Sequence, residues 1–120
     1  MTDKVNIAEK LALFEEHWSP KIVGELNGQY VKVVKFQGEF DWHHHDDEDE
    51  LFWVVAGAFD LEYRDRTVRL EPGEFAIVPR GVEHRPVAKE ECHVVLFEPA
   101  TILNTGNVET HKTLRELDRI

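Results

Sequence analysis

The sequence is poor in cysteine, in long apolar runs and in positive charge. Cys92 is the single cysteine, so an internal disulfide is excluded, and this favours a reducing compartment and predicts a cytoplasmic protein. The longest apolar run, 51–59, is interrupted by Gly57 and is too short to cross a bilayer. No basic-then-apolar leader opens the chain. We therefore expect no membrane partner.

Basic residues are outnumbered by acidic ones. The chain has 14 Lys and Arg against 24 Asp and Glu, which gives a formal net charge of −10. Nucleic-acid binding needs clustered basic residues that displace counterions from phosphates, and the sequence has no such cluster, so we expect no nucleic-acid partner. With 120 residues, no internal repeat and no linker, the chain predicts a single domain covering 1–120.

The spacing of apolar residues predicts a helix followed by a β-barrel. Residues 6–18 place apolar side chains at helical spacing, and Asn6 is suited to cap the start. From 21 to 99 the period is two, with turn residues such as Asn27-Gly28 between about eight to ten short strands. This pattern predicts an all-β sandwich or barrel behind a short N-terminal helix. Residues 100–120 predict a loose, polar tail.

Several details of the strand pattern are specific predictions. Residues 40–45 predict a strand that carries the histidines. The wholly apolar run 51–55 predicts a strand that is buried on both faces. Residues 87–97 predict two strands joined by a polar turn. Lys32 and Lys35, within a Val-rich strand, are expected at solvent-facing or edge positions.

The most informative stretch is a run of three histidines followed by five acids. A strand points residues i and i+2 to the same face, so His43 and His45 share one face and His44 takes the other. Glu50 then opens an apolar run, and His84 follows in a turn-rich stretch. Imidazole and carboxylate groups in two neighbouring segments are typical of a transition-metal site. The residues alone therefore indicate four candidate ligands.

These two segments resemble the two motifs of the cupin superfamily, Gly-x5-His-x-His-x3or4-Glu-x6-Gly and Gly-x5-Pro-x-Gly-x2-His-x3-Asn. The matching stretches are His43-x-His45-x4-Glu50-x6-Gly57 and Gly73-x5-Pro79-x-Gly81-x2-His84. Two positions depart from the pattern. Gly38 precedes His43 with four intervening residues rather than five, and Ala88 stands where the family often has Asn.

The resemblance implies a small single-domain cupin, similar to the mannose-6-phosphate-isomerase-like small cupins, with a jelly-roll barrel (a double-stranded β-helix). It implies that four side chains point into the barrel and bind one divalent metal ion: His43, His45, Glu50 and His84. These borderline donors suit Fe, Mn, Zn, Ni or Co. The resemblance also implies a homodimer, because the family commonly pairs its barrels, and small barrels leave sheet edges that need covering.

Two alternatives concern which side chains face the barrel. A shifted register restores the glycine spacing of the first motif and uses His44, Asp46 and Glu50 as ligands. It exchanges one imidazole for a carboxylate, and we prefer the unshifted register because the longer motif match runs through it. Near the end of the barrel, Cys92 and His93 face opposite ways, and the sequence leaves open which of them lines the interior.

Three functions are compatible with these residues, and the fold alone does not choose among them. The first is a metal-dependent dioxygenase or isomerase that acts on a small organic molecule at open coordination positions. The second is a non-catalytic module that binds or senses a metal or small ligand. The third is a metal-independent sugar isomerase or epimerase, which needs a general base and inward basic residues. Only Arg80 and Arg85 are candidates for the latter, and no separate catalytic residue is predicted.

Overall fold

The computed structural model describes residues 3–120, which form one short helix followed by seven strands. The elements are α1 (Ile7–Leu11), β1 (Lys21–Leu26), β2 (Gln29–Glu39), β3 (Glu50–Ala56), β4 (Phe59–Tyr63), β5 (Thr67–Leu70), β6 (Phe75–Val78) and β7 (His84–Pro99). All pairings between these strands are antiparallel. No helix in the described part of the chain has the length and apolar character of a membrane span.

The strands form the predicted jelly-roll barrel. Five of them pair in the order β1-β2-β7-β3-β6, and β4 pairs with both β5 and the first part of β7. Strand β7 is continuous over 16 residues, where the sequence predicted two strands and a turn. It stays continuous because its start pairs with β4 and its end with β3, while β2 runs beside both parts. The polar residues 89–91 lie at an irregularity in the β2–β7 register and not at a turn.

The barrel interior is an apolar core to which both sides of the barrel contribute. Phe36 of β2, Phe52 of β3 and Leu61 of β4 are buried in one cluster with Cys92 of β7. Cys92 therefore lines the barrel, and the half-buried His93 faces outward. Burial raises the pKa of the Cys92 thiol to about 12, so this cysteine is an unreactive core group.

Helix α1 ends at Leu11 and is much shorter than the predicted helix over 6–18. Its start is as expected, because the side chain of Asn6 accepts a hydrogen bond from the backbone of the first turn. Beyond Leu11, tertiary packing against Val33 and not a helix buries Phe14. Trp18 has a φ of 58° and stacks on Phe36, with ring centroids 4.5 Å apart. Helical spacing alone therefore overestimated the length of the helix.

Two predictions about the strands are wrong. Residues 40–45 form an irregular segment in which only His43 makes a β-bridge, to His84. Strand β3 is buried on one face only, because Phe52 points into the barrel while Trp53 points out and is exposed. The apolar run therefore supplies both a core face and an exposed apolar face.

The prediction that the two lysines of β2 occupy solvent-facing or edge positions is wrong, because both are buried and β2 lies between β1 and β7. The ammonium group of Lys35 donates a hydrogen bond to the backbone carbonyl of Phe14 at 2.6 Å. The ammonium group of Lys32 donates to the carboxyl group of Glu98 at 2.7 Å. Each buried charge thus has a partner inside the fold, which is the condition for its burial.

Residues 100–120 contain no helix or strand, yet they pack against the barrel and are not loose. Thr105 and Ile102 are buried. The backbone N–H of Asn107 donates to the carbonyl of His44 at 3.0 Å, and the N–H of His44 donates to the side chain of Asn107 at 2.8 Å. This segment therefore braces the histidine segment from outside.

Gly106 provides a test of this close packing. Its φ is 58°, and a Cβ atom at this position would collide with the carbonyl oxygen of His44 and lie 2.9 Å from the ring of His43. We expect Gly106→Ala to lower the free energy of unfolding by about 3 kcal/mol in urea denaturation. The control is Gly73→Ala, which has a positive φ of 85° but nothing within 4 Å, and should cost about 1 kcal/mol. Equal losses in both variants would contradict the bracing contact.

Candidate metal centre

The four residues that the cupin motifs single out lie in one buried cluster. His43 and His45 come from the irregular segment before β3, Glu50 begins β3, and His84 begins β7. One candidate ligand atom from each residue lies within 4.8 Å of the others. His44 points away from the cluster and lies 2.8 Å from a carboxylate oxygen of Asp46 outside the barrel. The structure therefore has the unshifted register.

Backbone hydrogen bonds place these side chains. The N–H of His43 donates to the carbonyl of His84 at 3.0 Å, and the N–H of His84 donates back at 2.9 Å. This exchange sets the two imidazole rings side by side, with centroids 4.4 Å apart. The N–H of Gly81 donates to the carbonyl of His45 at 2.7 Å. This bond connects the turn of the second motif to a histidine of the first. Glu50 is placed separately, by the pairing of β3 with β6.

Two of the imidazoles turn their Nε2 atoms toward the cluster. Nδ1 of His43 lies 2.8 Å from the carbonyl oxygen of Asp41, and Nδ1 of His84 lies 2.8 Å from that of Val82. A carbonyl oxygen only accepts, so each Nδ1 carries a proton, and Nε2 is the nitrogen that is placed to bind a metal. Nε2 of His45 is buried with no hydrogen-bond partner.

The carboxyl group of Glu50 completes the cluster as an anion. Its Oε1 lies 3.3 Å from Nε2 of both His45 and His84. Burial alone favours the neutral acid, but interactions with Glu98 and with the facing imidazoles of His45 and His84 hold the pKa of Glu50 well below its usual range. Burial, reinforced by His84, lowers the pKa of His43 to about 4. Imidazole nitrogens and one carboxylate form a donor set that suits a divalent transition metal.

A pocket opens beside the cluster and reaches His43 and Glu50. Its cavity volume is about 30 Å³, so the pocket is narrow. Apart from these two residues, Glu98 and Asn104, its lining is apolar and consists of Trp18, Pro20, Val34, Phe36, Phe40, Phe52, Pro86 and Leu96. An apolar pocket with few polar groups is typical of a site for a small organic molecule.

Sequence reasoning missed Glu98, Lys32 and Trp18 as neighbours of the site. The only signal for Glu98 was an isolated acid inside an apolar strand that ends at Pro99. The corresponding signal for Lys32 was its position between two valines in β2. Trp18 lay in a predicted helix, so its place in the pocket wall was not visible from spacing.

The barrel and its cluster of three histidines and one glutamate match the architecture that the motifs implied. The sequence profile of the cupin domain matches residues 30–98, more than half of the chain. The chain therefore belongs to the cupin family, as predicted. A cupin-2 domain-containing protein from Shewanella frigidimarina NCIMB 400 has a similar crystal structure, with a TM-score of 0.78 and 45% sequence identity. That match covers 79% of this chain and 93% of the other.

Two curated relatives match over part of their length. YdbB, an uncharacterised protein of Bacillus subtilis, is 39% identical over 64 residues, which are 52% of this chain and 57% of YdbB. An acireductone dioxygenase of Puccinia graminis f. sp. tritici is 33% identical over 82 residues, 63% of this chain and 42% of the dioxygenase. The chain thus spans about half the length of these relatives.

The buried imidazole of His43 gives the metal-free protein a predictable pH dependence. Its pKa falls from 6.5 to about 4 on folding, so the unfolded state binds more protons between these pH values. The stability contributed by neutral His43 is therefore complete above about pH 6.5 and is lost as the pH falls towards 4. We expect the free energy of unfolding to drop by about 2 kcal/mol more in wild type than in His43→Gln between pH 7 and pH 5.

Urea denaturation in the presence of a chelator measures this difference. Because both proteins share every other titrating group, comparing them isolates His43. Equal pH dependence in the two proteins would mean that burial does not hold His43 neutral.

Proposed function

We propose that this cupin binds one divalent transition-metal ion through His43, His45, Glu50 and His84. The observation that carries the proposal is the convergence of buried imidazole nitrogens and an ionised carboxylate within 4.8 Å. Nε2 of His45 is buried without a hydrogen bond, although a carboxylate oxygen of Glu50 lies 3.3 Å away, and buried polar atoms are rarely left in that state. Fe, Mn, Co, Ni and Zn all suit this donor set. Four protein ligands leave open positions on a six-coordinate ion.

We propose further that a small organic molecule enters the pocket and reaches these open positions. A bound ion supplies Lewis-acid or oxygen-activating chemistry, which fits dioxygenase or isomerase reactions. The rings of Trp18, Phe36 and Phe52 wall the pocket, exclude water and orient an apolar substrate. The partial match to an acireductone dioxygenase supports this enzymatic role.

A non-catalytic module that binds or senses a metal or small ligand is the second candidate. It is favoured by the shortage of ionisable groups in the pocket. Besides the metal ligands, the pocket contains only the carboxyl group of Glu98, one oxygen of which is bonded to Lys32.

A metal-independent sugar isomerase or epimerase is less well supported. Arg80 is paired with Asp49, and Nε of Arg85 donates to Glu62 at 2.7 Å. Neither arginine lines the pocket.

Metal content tests the proposed site directly. We expect untagged protein, reconstituted with Co(II) or Fe(II) and desalted, to retain about one ion per chain by elemental analysis. His45→Ala, His84→Ala and Glu50→Ala should each lose most of this metal, because each removes one ligand. His44→Ala is the matched control, since it removes a neighbouring imidazole that points out of the site. Unchanged metal content in the three ligand variants would refute the site.

We also propose that two copies pair through the outer face of β3, β6 and β7. Trp53, Phe75 and Ile77 are exposed to 46%, 54% and 54% on this face, and the rings of Trp53 and Phe75 lie 5.8 Å apart. Val95 and Phe97 of β7 continue the face beside β3. The strand side chains of this patch carry no charge, whereas the chain has a net charge of −10. Two such acidic copies repel each other least where they meet across an uncharged surface.

A charge introduced into this face tests the homodimer. We expect wild type to be a dimer in light scattering coupled to size-exclusion chromatography, and Ile77→Glu to be a monomer, because the carboxylate would be buried without a partner. Leu26→Glu is the control, since Leu26 is 46% exposed on β1 at the opposite edge of the sheet. It should leave the dimer intact. A monomeric wild type, or a dimeric Ile77→Glu, would contradict the proposal.

A further inference from the structure

Besides the candidate metal ligands, the pocket is lined by two polar side chains, those of Glu98 and Asn104. The amide group of Asn104 is engaged within the C-terminal segment. Its Nδ2 donates to the backbone carbonyl of Lys112 at 2.8 Å, and its Oδ1 accepts from the backbone N–H of Leu114 at 2.9 Å. Glu98 is therefore the polar group of the pocket wall that remains for a bound molecule.

Glu98 lies next to the proposed metal site, although neither cupin motif includes it. Strands β3 and β7 pair Leu51 with Phe97, so the same register places Glu98 opposite Glu50 on the inner face. Side chains in directly opposite positions of antiparallel strands have Cβ atoms about 5 Å apart. Glu98 is not one of the clustered ligands. A molecule that reaches the metal site through the pocket thus passes Glu98.

Lys32 holds one oxygen of Glu98 in place. Its Nζ donates a hydrogen bond of 2.7 Å to Oε1 of Glu98, and both side chains are only 2% exposed. On β2, Lys32 pairs with Leu96, which places it diagonally across from Glu98. Lys32 does not line the pocket, so it holds the carboxyl group from the side that faces away from the pocket.

The other oxygen of Glu98 is buried without a partner. Oε2 has no hydrogen bond to any of the described residues, and a buried polar atom in that state is costly. A hydroxyl group both donates and accepts hydrogen bonds, so it satisfies this oxygen whether or not the carboxyl group carries a proton. An apolar molecule in the pocket leaves Oε2 unpaired. The cavity volume of about 30 Å³ restricts the buried part of a bound molecule to a few atoms.

We propose that Glu98, fixed by Lys32, binds the hydroxyl group of a small hydroxylated molecule and makes the pocket specific for this class of ligand. The inference rests on the proposed function, because it concerns the pocket in which we place the organic molecule. The aromatic walls, such as Phe36 and Phe52, then contact the carbon skeleton of that molecule. The hydrogen bond to Glu98 sets its orientation beside the metal site.

Two probe molecules of the same length test this specificity. Hydroxyacetone and butan-2-one differ in that a hydroxyl group of the first replaces a methyl group of the second. Each is titrated into metal-free protein in the presence of a chelator, and the backbone amide signals of the pocket residues are followed by NMR. Metal-free protein is used so that binding to the metal does not enter the comparison. We expect hydroxyacetone to bind at least about tenfold more tightly than butan-2-one.

Three variants separate recognition by Glu98 from its part in folding. Glu98→Leu alone would leave the Lys32 ammonium buried without a partner, so the double variant Lys32→Met/Glu98→Leu is used instead. It should lose the preference for hydroxyacetone and bind butan-2-one at least as tightly as wild type does, an effect that simple destabilisation does not produce. Glu98→Gln keeps an acceptor for Lys32 and a polar group for the hydroxyl, and should retain most of the preference. Leu70→Ala, a buried core change outside the pocket, should lower the thermal midpoint and leave the preference unchanged.

Each outcome decides the proposal. Equal affinity of wild type for the two probes would mean that solvent serves Oε2 and would overturn it. An unchanged preference in the folded double variant, or no saturable binding of hydroxyacetone to wild type, would also overturn it.

The metal measurement described above keeps the two proposals apart. If wild type retains Co(II) but does not prefer hydroxyacetone, only the role of Glu98 falls. If it prefers hydroxyacetone but retains no Co(II), the role of Glu98 is supported and the metal site falls. If it binds neither Co(II) nor hydroxyacetone, the proposed function and the role of Glu98 both fall.

Discussion

The candidate site depends on the backbone pairing between His43 and His84. These two residues exchange hydrogen bonds of 3.0 and 2.9 Å, and this pair is the one β-bridge of the irregular segment 40–45. His84 begins β7, which runs through the core to Pro99 and is therefore firmly placed. A segment without strand pairing of its own is thus tied to the most extensively paired strand of the described chain. Ligands supported in this way keep a defined geometry, which metal binding requires.

On three neighbouring strands, the side chains that face the barrel interior change from apolar to polar at the same height along the barrel. On β2, β3 and β7, the inward positions pass from apolar core residues to Lys32, Glu50 and Glu98 respectively. Isolated, each of these ionisable groups would be costly to bury, but Lys32 donates a hydrogen bond to Glu98, and the imidazoles of His45 and His84 lie 3.3 Å from Glu50. The apolar core below them gives the barrel its stability, and the polar layer above it contains Glu50 of the proposed metal site.

Much of the site could be predicted from the sequence, because the spacing of His43, His45, Glu50 and His84 is local or follows a known motif. His43 and His45 point the same way, as predicted, although residues 40–45 form no strand. The reason is that side chains also point to alternate sides in an extended segment without strand pairing. The contact between Lys32 and Glu98 spans 66 positions and follows from strand register, which no local pattern contains. The prediction of a helix over 6–18 failed for a related reason, because Phe14 and Trp18 pack against distant residues of β2 and do not continue the helix.

Strand β3 shows why an apolar run does not by itself identify a buried strand. Its inward residues, Glu50, Phe52 and Val54, belong to the site and the core, whereas Trp53 faces outward and is exposed. A strand that is buried on both faces and a strand with one exposed apolar face therefore have the same sequence signature. The two faces are physically linked, because the β3–β7 register that sets Glu50 opposite Glu98 also sets the outer apolar residues side by side.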